Sequence, residues 1–93
     1  MAEVAQLFVE HGRTRVAQLD AAWARQDLEG VSTAAHSLTS SAAQLGLTSL
    51  SRLARSLEDS GRDGDVAGVA LGMAGLGDEF QRAIAALGTL PLA

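Results

Sequence analysis

The sequence predicts an all-α fold, an antiparallel up-down bundle of four helices, and three observations predict it. The 93 residues are 47% apolar but only 3% aromatic, with a single proline, whereas strand-rich domains lean on aromatic and β-branched residues and on frequent turns. Apolar residues recur at three- and four-residue spacing through most of the chain, which is the period of a helix with one buried face. Short segments rich in Gly, Asp and Ser separate those stretches and supply the turns. A chain of this length forms one domain, taken as residues 1–93, with a single core and little margin of stability.

The first helix is expected over about residues 2–25, where Val4, Leu7, Phe8, Val16, Leu19 and Ala22 fall in one broad stripe. Trp23 at the stripe's edge reads as a cap over the bundle, and His11 at its margin as a boundary residue, since no second ligand stands at metal-binding spacing. Asp27 is a plausible N-cap for a second helix over about residues 28–45. Its stripe is Val31, Ala34, Ala35, Leu38, Ala42 and Leu45, and Gly46 provides the left-handed residue that ends it. The short connection makes the first two helices antiparallel neighbours.

A third helix over about residues 48–60 carries Leu47, Leu50, Leu53, Ala54 and Leu57 on one face. Ser51, Arg55 and Glu58 lie along one flank of that face, where a neighbouring helix can be reached. The segment Ser60-Gly61-Arg62-Asp63-Gly64-Asp65 reads as a turn. Its aspartates lack the closing glutamate of a calcium loop, so no metal site is assigned. The fourth helix, about residues 65–87, has the longest apolar pattern: Val66, Val69, Ala70, Met73, Leu76, Phe80, Ile84 and Leu87. It also contains Gly68, Gly72, Gly75 and Gly77, each costing roughly 1 kcal/mol against alanine in a helix interior. Gly72 to Gly77 follows no strand, so it reads as close packing or local softness and not as a phosphate loop. Residues 88–93 are expected to form a loose tail.

Composition narrows the partners. There is no cysteine, hence neither a disulfide framework nor a thiolate metal site. All seven basic residues are arginines, set against eleven carboxylates, and the net charge of −4 argues against nucleic acid. No apolar run reaches the length of a membrane span and no signal-peptide pattern opens the chain, so a cytoplasmic, monomeric protein without membrane contact is expected.

One side chain stands apart from this scaffold. At about 100° per residue, His36 lies about 150° round from the centre of the second helix's stripe, on the solvent side. Its neighbours one and two turns away are Glu29, Ser32, Thr33, Thr39, Ser40 and Ala43, all small except the glutamate. An imidazole among side chains that short is open to something large approaching it. Taken alone, a surface histidine is most often just a solvated polar residue, and a solid aliphatic bundle offers a hydrolase little concavity.

The segment Ala35-His36-Ser37-Leu38-Thr39-Ser40-Ser41-Ala42-Ala43-Gln44-Leu45-Gly46, followed by the ladder Leu47, Leu50, Leu53-Ala54 and Leu57-Glu58, resembles the signature of histidine-containing phosphotransfer (HPt) domains of bacterial multistep phosphorelays. The resemblance covers most of the chain. It implies a four-helix bundle whose exposed histidine takes a phosphoryl group from a receiver-domain aspartate and passes it to another receiver. On that reading His36 is the phosphoacceptor through Nε2, and Glu58, twenty-two residues on, hydrogen-bonds Nδ1 to orient the imidazole.

Two positions depart from the family pattern: Thr39 replaces the usual lysine three residues after the histidine, and Ser40 replaces the usual glycine. Arg55, one turn before Glu58, is the candidate for the missing phosphoryl-stabilising cation. The expected docking face is Ser32, Thr33, Thr39, Ser40 and Ala43 with Phe8 and Gly12 of the first helix. The implied partners are a response-regulator receiver, which holds the Mg²⁺, and an upstream histidine kinase, in some cases a hybrid kinase; no cofactor is bound by this chain. The runner-up is a degenerate bundle of the same family that binds a receiver or kinase without carrying phosphate. A plain helical dimerisation module, the third reading, would leave His36 idle.

Overall fold

In a computed structural model of the chain, residues 2–88 are described, with side-chain surroundings described for residues 6–87. These residues form four helices and, among the described residues, no strand: α1 (Ala2–Ala24), α2 (Leu28–Gln44), α3 (Thr48–Asp63) and α4 (Val66–Gly88). The side-chain surroundings of Val4 and residues 89–93 of the expected 88–93 tail lie outside what is described, while Gly88 ends α4 instead of opening the tail.

All three connections use one chemical device. After α1, the N–H of Asp27 donates to the carbonyl of Ala22 at 2.8 Å and that of Gln26 to Trp23 at 3.0 Å. Leu47 to Ala42 and Gly46 to Ala43 repeat the pattern after α2, and Asp65 to Ser60 with Gly64 to Gly61 repeat it after α3. Such paired bonds satisfy the last carbonyls of a helix and need a left-handed residue at the turn. Gly46 and Gly64 both take φ of 72°, and Gln26 takes 58°. Gln26 thus bears the steric cost that glycine avoids at the other two corners. Asp27 and Asp65 then cap the next helices, accepting from the N–H groups of Gly30 and Gly68, each at 3.0 Å.

The third connection is shorter than the turn that the sequence predicts. Ser60 to Asp63 continue α3 instead of forming a turn, and α4 begins at Val66. Gly61 stays helical because it is buried against α2: a Cβ there would lie 2.8 Å from the carbonyl oxygen of Leu28 and 3.1 Å from the backbone nitrogen of Ser32. Gly64, not Gly61, carries the left-handed conformation.

Helix α2 packs on α1 and, most extensively, on α3, which in turn packs on α4; α1 and α4 touch less. Along the α2–α3 seam Ser32 bonds the carbonyl of Glu58 and Ser51 that of Thr39, so residue numbers rise along α2 as they fall along α3. The core is aliphatic, with Leu19, Val31, Leu38, Leu57 and Val69 at 0% exposure, and among the described residues it holds no buried polar or charged side chain. Phe8 and Phe80 join α1 to α4 with ring centroids 6.1 Å apart. Leu7 and Val66, placed in the apolar stripes by spacing, are instead exposed, as is Leu71. Of the α4 glycines, Gly72 faces Leu57 and Gly68 faces Ser60 and Asp65, while Gly75 and Gly77 meet nothing.

Two substitutions test this packing by thermal unfolding. Gln26→Gly removes the left-handed strain and raises stability by about 0.5–1 kcal/mol. Gly61→Ala forces α2 and α3 apart and lowers stability by about 1–3 kcal/mol; a neutral Gly61→Ala would show that the seam is looser than described.

Candidate functional site

The α2–α3 seam positions the histidine. His36 projects from the middle of α2 with 68% of its side chain exposed, and its Nδ1 lies 2.8 Å from Oε2 of Glu58 on α3, whose side chain is 20% exposed. A carboxylate only accepts hydrogen bonds, so in the neutral imidazole the proton sits on Nδ1 and the Nε2 lone pair faces outward. If the ring gains charge, the same carboxylate is already in place to balance it.

The backbone of Glu58 is fixed as firmly as its side chain. Ser32 Oγ donates to the Glu58 carbonyl at 3.0 Å, and Ser51 Oγ to the Thr39 carbonyl at 3.3 Å. These two bonds bracket the His36–Glu58 pair along the seam, with the Gly61 contact beyond them. The sequence puts Ser51 on the flank of α3 that can reach a neighbouring helix and predicts Ser32 on the docking face; in the structure both lie in the α2–α3 seam, half-buried. Their positions at the borders of the apolar stripes were the available signal.

The surroundings of Nε2 are low and small. Thr33, Ser40 and Ala43 are exposed, and Thr33 directs its hydroxyl to the Glu29 carbonyl at 3.0 Å. Thr39 is half-buried and spends its hydroxyl on the Ala35 carbonyl at 2.8 Å, so it offers an incoming anion no free donor. Arg55 is exposed, on α3 between the Ser51 and Glu58 contacts, and has no ion-pair or hydrogen-bond partner among the described residues.

Phe8 and Gly12 do not belong to this face. Phe8 is only 5% exposed, and Gly12 is buried where a Cβ would meet the Phe80 ring at 2.5 Å. The physical reason is their place on the inner stripe of α1, which closes the core against α4. The α1 residues that do reach the surface beside α2 are Leu7 and His11, near Ser41 and Gln44, and farther along α1 Arg15 and Gln18, near Thr33 and Ser37. Among the described residues no group of three or more His, Asp and Glu could hold a metal ion, and no helix is long and apolar enough to cross a membrane.

The fold and the site define a class of protein: helical domains that present one imidazole nitrogen to solvent and tie the other to a carboxylate. The model of one such family, the Hpt domain, matches residues 3–89, and the chain belongs to that family. Comparison with curated proteins and with solved structures gave no match. Hpt domains are phosphocarriers of phosphorelays, not enzymes in the usual sense, and they interact with receiver domains and kinases.

The hydrogen bond to Glu58 makes a spectroscopic prediction. In the native protein the neutral His36 ring is the Nδ1–H tautomer, and in Glu58→Ala it shifts toward Nε2–H, which long-range ¹H–¹⁵N correlation of the ring nitrogens will read. An unchanged tautomer in the variant would remove Glu58 from the site.

Proposed function

We propose that this chain is an up-down antiparallel bundle that carries a phosphoryl group on Nε2 of His36, taking it from a receiver-domain aspartate and passing it to another receiver. The observation that carries the reading is the 2.8 Å contact between His36 Nδ1 and Glu58 Oε2 beneath an outward-facing Nε2. In the forward step the Nε2 lone pair forms a bond to phosphorus while the phosphorus–oxygen bond of the aspartyl phosphate breaks and the carboxylate leaves with its electron pair. No proton has to move. The ring becomes a phosphorylated imidazolium that keeps its Nδ1 proton, and Glu58 balances the new charge.

The domain supplies the nucleophile and a docking face. The receiver supplies Mg²⁺ and the acidic pocket that stabilises the transferring phosphoryl group, and an upstream histidine kinase feeds the relay. Thr33, Ser40 and Ala43 form the low ground around Nε2 on which a receiver rests, with Thr39 at its edge. In this reading Arg55, exposed on α3, reaches the phosphoryl oxygens from that side. The acidic net charge and the closed apolar core fit a cytoplasmic monomer with no nucleic-acid or membrane partner.

Thr39 supports a second reading, a bundle of the same family that binds a receiver or kinase without carrying phosphate, because its hydroxyl is committed to Ala35. One experiment separates the two. Incubation with a phosphorylated receiver and Mg²⁺ yields an acid-labile, base-stable phosphate on the native chain and none on His36→Gln. Binding without transfer would favour the second reading. Arg55→Ala lowers the transfer rate or the phosphohistidine lifetime by roughly 3- to 10-fold, on the strength of one charge-assisted hydrogen bond partly screened by solvent; two unchanged values would remove Arg55 from the site.

A further inference from the structure

Beside His36, on the side of α2 away from Glu58, a groove of about 590 Å³ runs between α1 and α2. Its lining includes Arg15 and Gln18 of α1 and Thr33 and Ser37 of α2. Thr33 and Ser37 lie about 60° and 100° round the helix axis from His36 on the α1 side, at about 100° per residue. The groove therefore borders the α2 face that carries His36, although the imidazole is not part of its lining.

Arg15 is unlike the other six arginines, all of which fall among the described residues: it alone is half-buried and the rest are exposed. Its guanidinium donates to Oε1 of Gln18 at 2.9 Å, a neutral acceptor that holds the side chain in place without cancelling its charge. Among the described residues it has no ion pair, whereas Arg25, Arg62 and Arg82 each have a carboxylate. Of the carboxylates lining the same groove, Asp27 is engaged by Arg25 and by the Gly30 N–H, and Glu29 is two turns before His36 and exposed. The burial is of the residue as a whole, its bond to Gln18 is exposed, and the guanidinium, with no anion of its own, keeps donors open to an added one.

We infer that Arg15 is a phosphoryl-binding residue that donates to the oxygens of the group entering and residing at His36 Nε2, from the flank opposite Arg55. The inference rests on the phosphocarrier reading and adds to it a contact from α1. The fork of the guanidinium matches two phosphoryl oxygens, and the Gln18 bond fixes its orientation in advance.

The test uses phosphoramidate, a small phosphoryl donor, so that no receiver contributes. Nε2 bonds to phosphorus, the nitrogen–phosphorus bond of the donor breaks, and ammonia leaves with the proton that phosphoramidate already carries. Phosphorylation of His36 is followed by ³¹P NMR in the native chain, Arg15→Gln and Arg15→Lys, with circular dichroism as the folding control. Arg15→Gln is expected to slow phosphorylation roughly 3- to 10-fold and to flatten its dependence on salt, while Arg15→Lys, which keeps the charge but not the fork, recovers the salt dependence and only part of the rate. Equal rates and equal salt dependence in native protein and Arg15→Gln would overturn the assignment while leaving the carrier reading intact. So would a loss of receiver affinity without a change in this rate, which would make Arg15 part of the docking face. Failure of the native chain to be phosphorylated would overturn the carrier reading and the assignment together.

Discussion

The hydrogen bond between His36 and Glu58 joins residues twenty-two apart in sequence, and most of the local structure serves to keep its two ends at 2.8 Å. Neither end can be held by its own helix alone. A surface imidazole turns freely about its side-chain bonds unless something restrains it, and an exposed carboxylate loses entropy on being held in one rotamer. The α2–α3 seam removes that freedom from the backbone side: Ser32 holds the carbonyl of Glu58 itself, Ser51 holds that of Thr39, and Gly61 lets the helices approach at the other end. The polar pair is therefore built at the rim of an apolar interface and not inside it, where an unpaired charge would be costly.

The rest of the scaffold is economical in its means. The same pair of backbone bonds closes α1, α2 and α3, and in each case an adjacent residue turns left-handed. Such connections of two or three residues leave the helices no choice but to pack on their sequence neighbours, and α2 accordingly lies between α1 and α3. That placement gives the imidazole two different flanks. On the α3 side stand Glu58 and Arg55, and on the α1 side is a polar groove with Arg15. Between them the exposed face of α2 is nearly flat, suited to a large partner and ill suited to enclosing a small substrate.

The helical fold was legible from periodicity because the apolar residues of α2, Val31, Ala34, Ala35, Leu38 and Ala42, repeat cleanly and are all buried. The helical wheel likewise sets His36 off the stripe and Glu58 at the border of its own. What the wheel does not specify is register, meaning which residue of α3 comes opposite which residue of α2. That depends on the Gly61 contact and on two serine hydroxyls, none of which has a periodic signature. The misplaced residues have other causes. Phe8 sits on the predicted stripe of α1 and Gly12 lies one turn after it, and both occupy the core with Phe80. Ser60-Gly61-Arg62 has turn composition, but tertiary contact with α2 outweighs local preference and extends α3 to Asp63. Arg15 was invisible as a candidate, since half-burial of a long polar side chain follows from the neighbouring helix and not from its own.

The central claim is that Nε2 of His36 bears the phosphoryl group while Nδ1 keeps its proton for Glu58. Phosphorylated protein labelled with ¹⁵N in its histidine rings tests this directly, because coupling between ³¹P and ¹⁵N identifies the bonded nitrogen. The account predicts coupling to Nε2 of His36 alone, with the Nδ1 proton retained. Coupling to Nδ1 of His36, or to His11 instead, would contradict it.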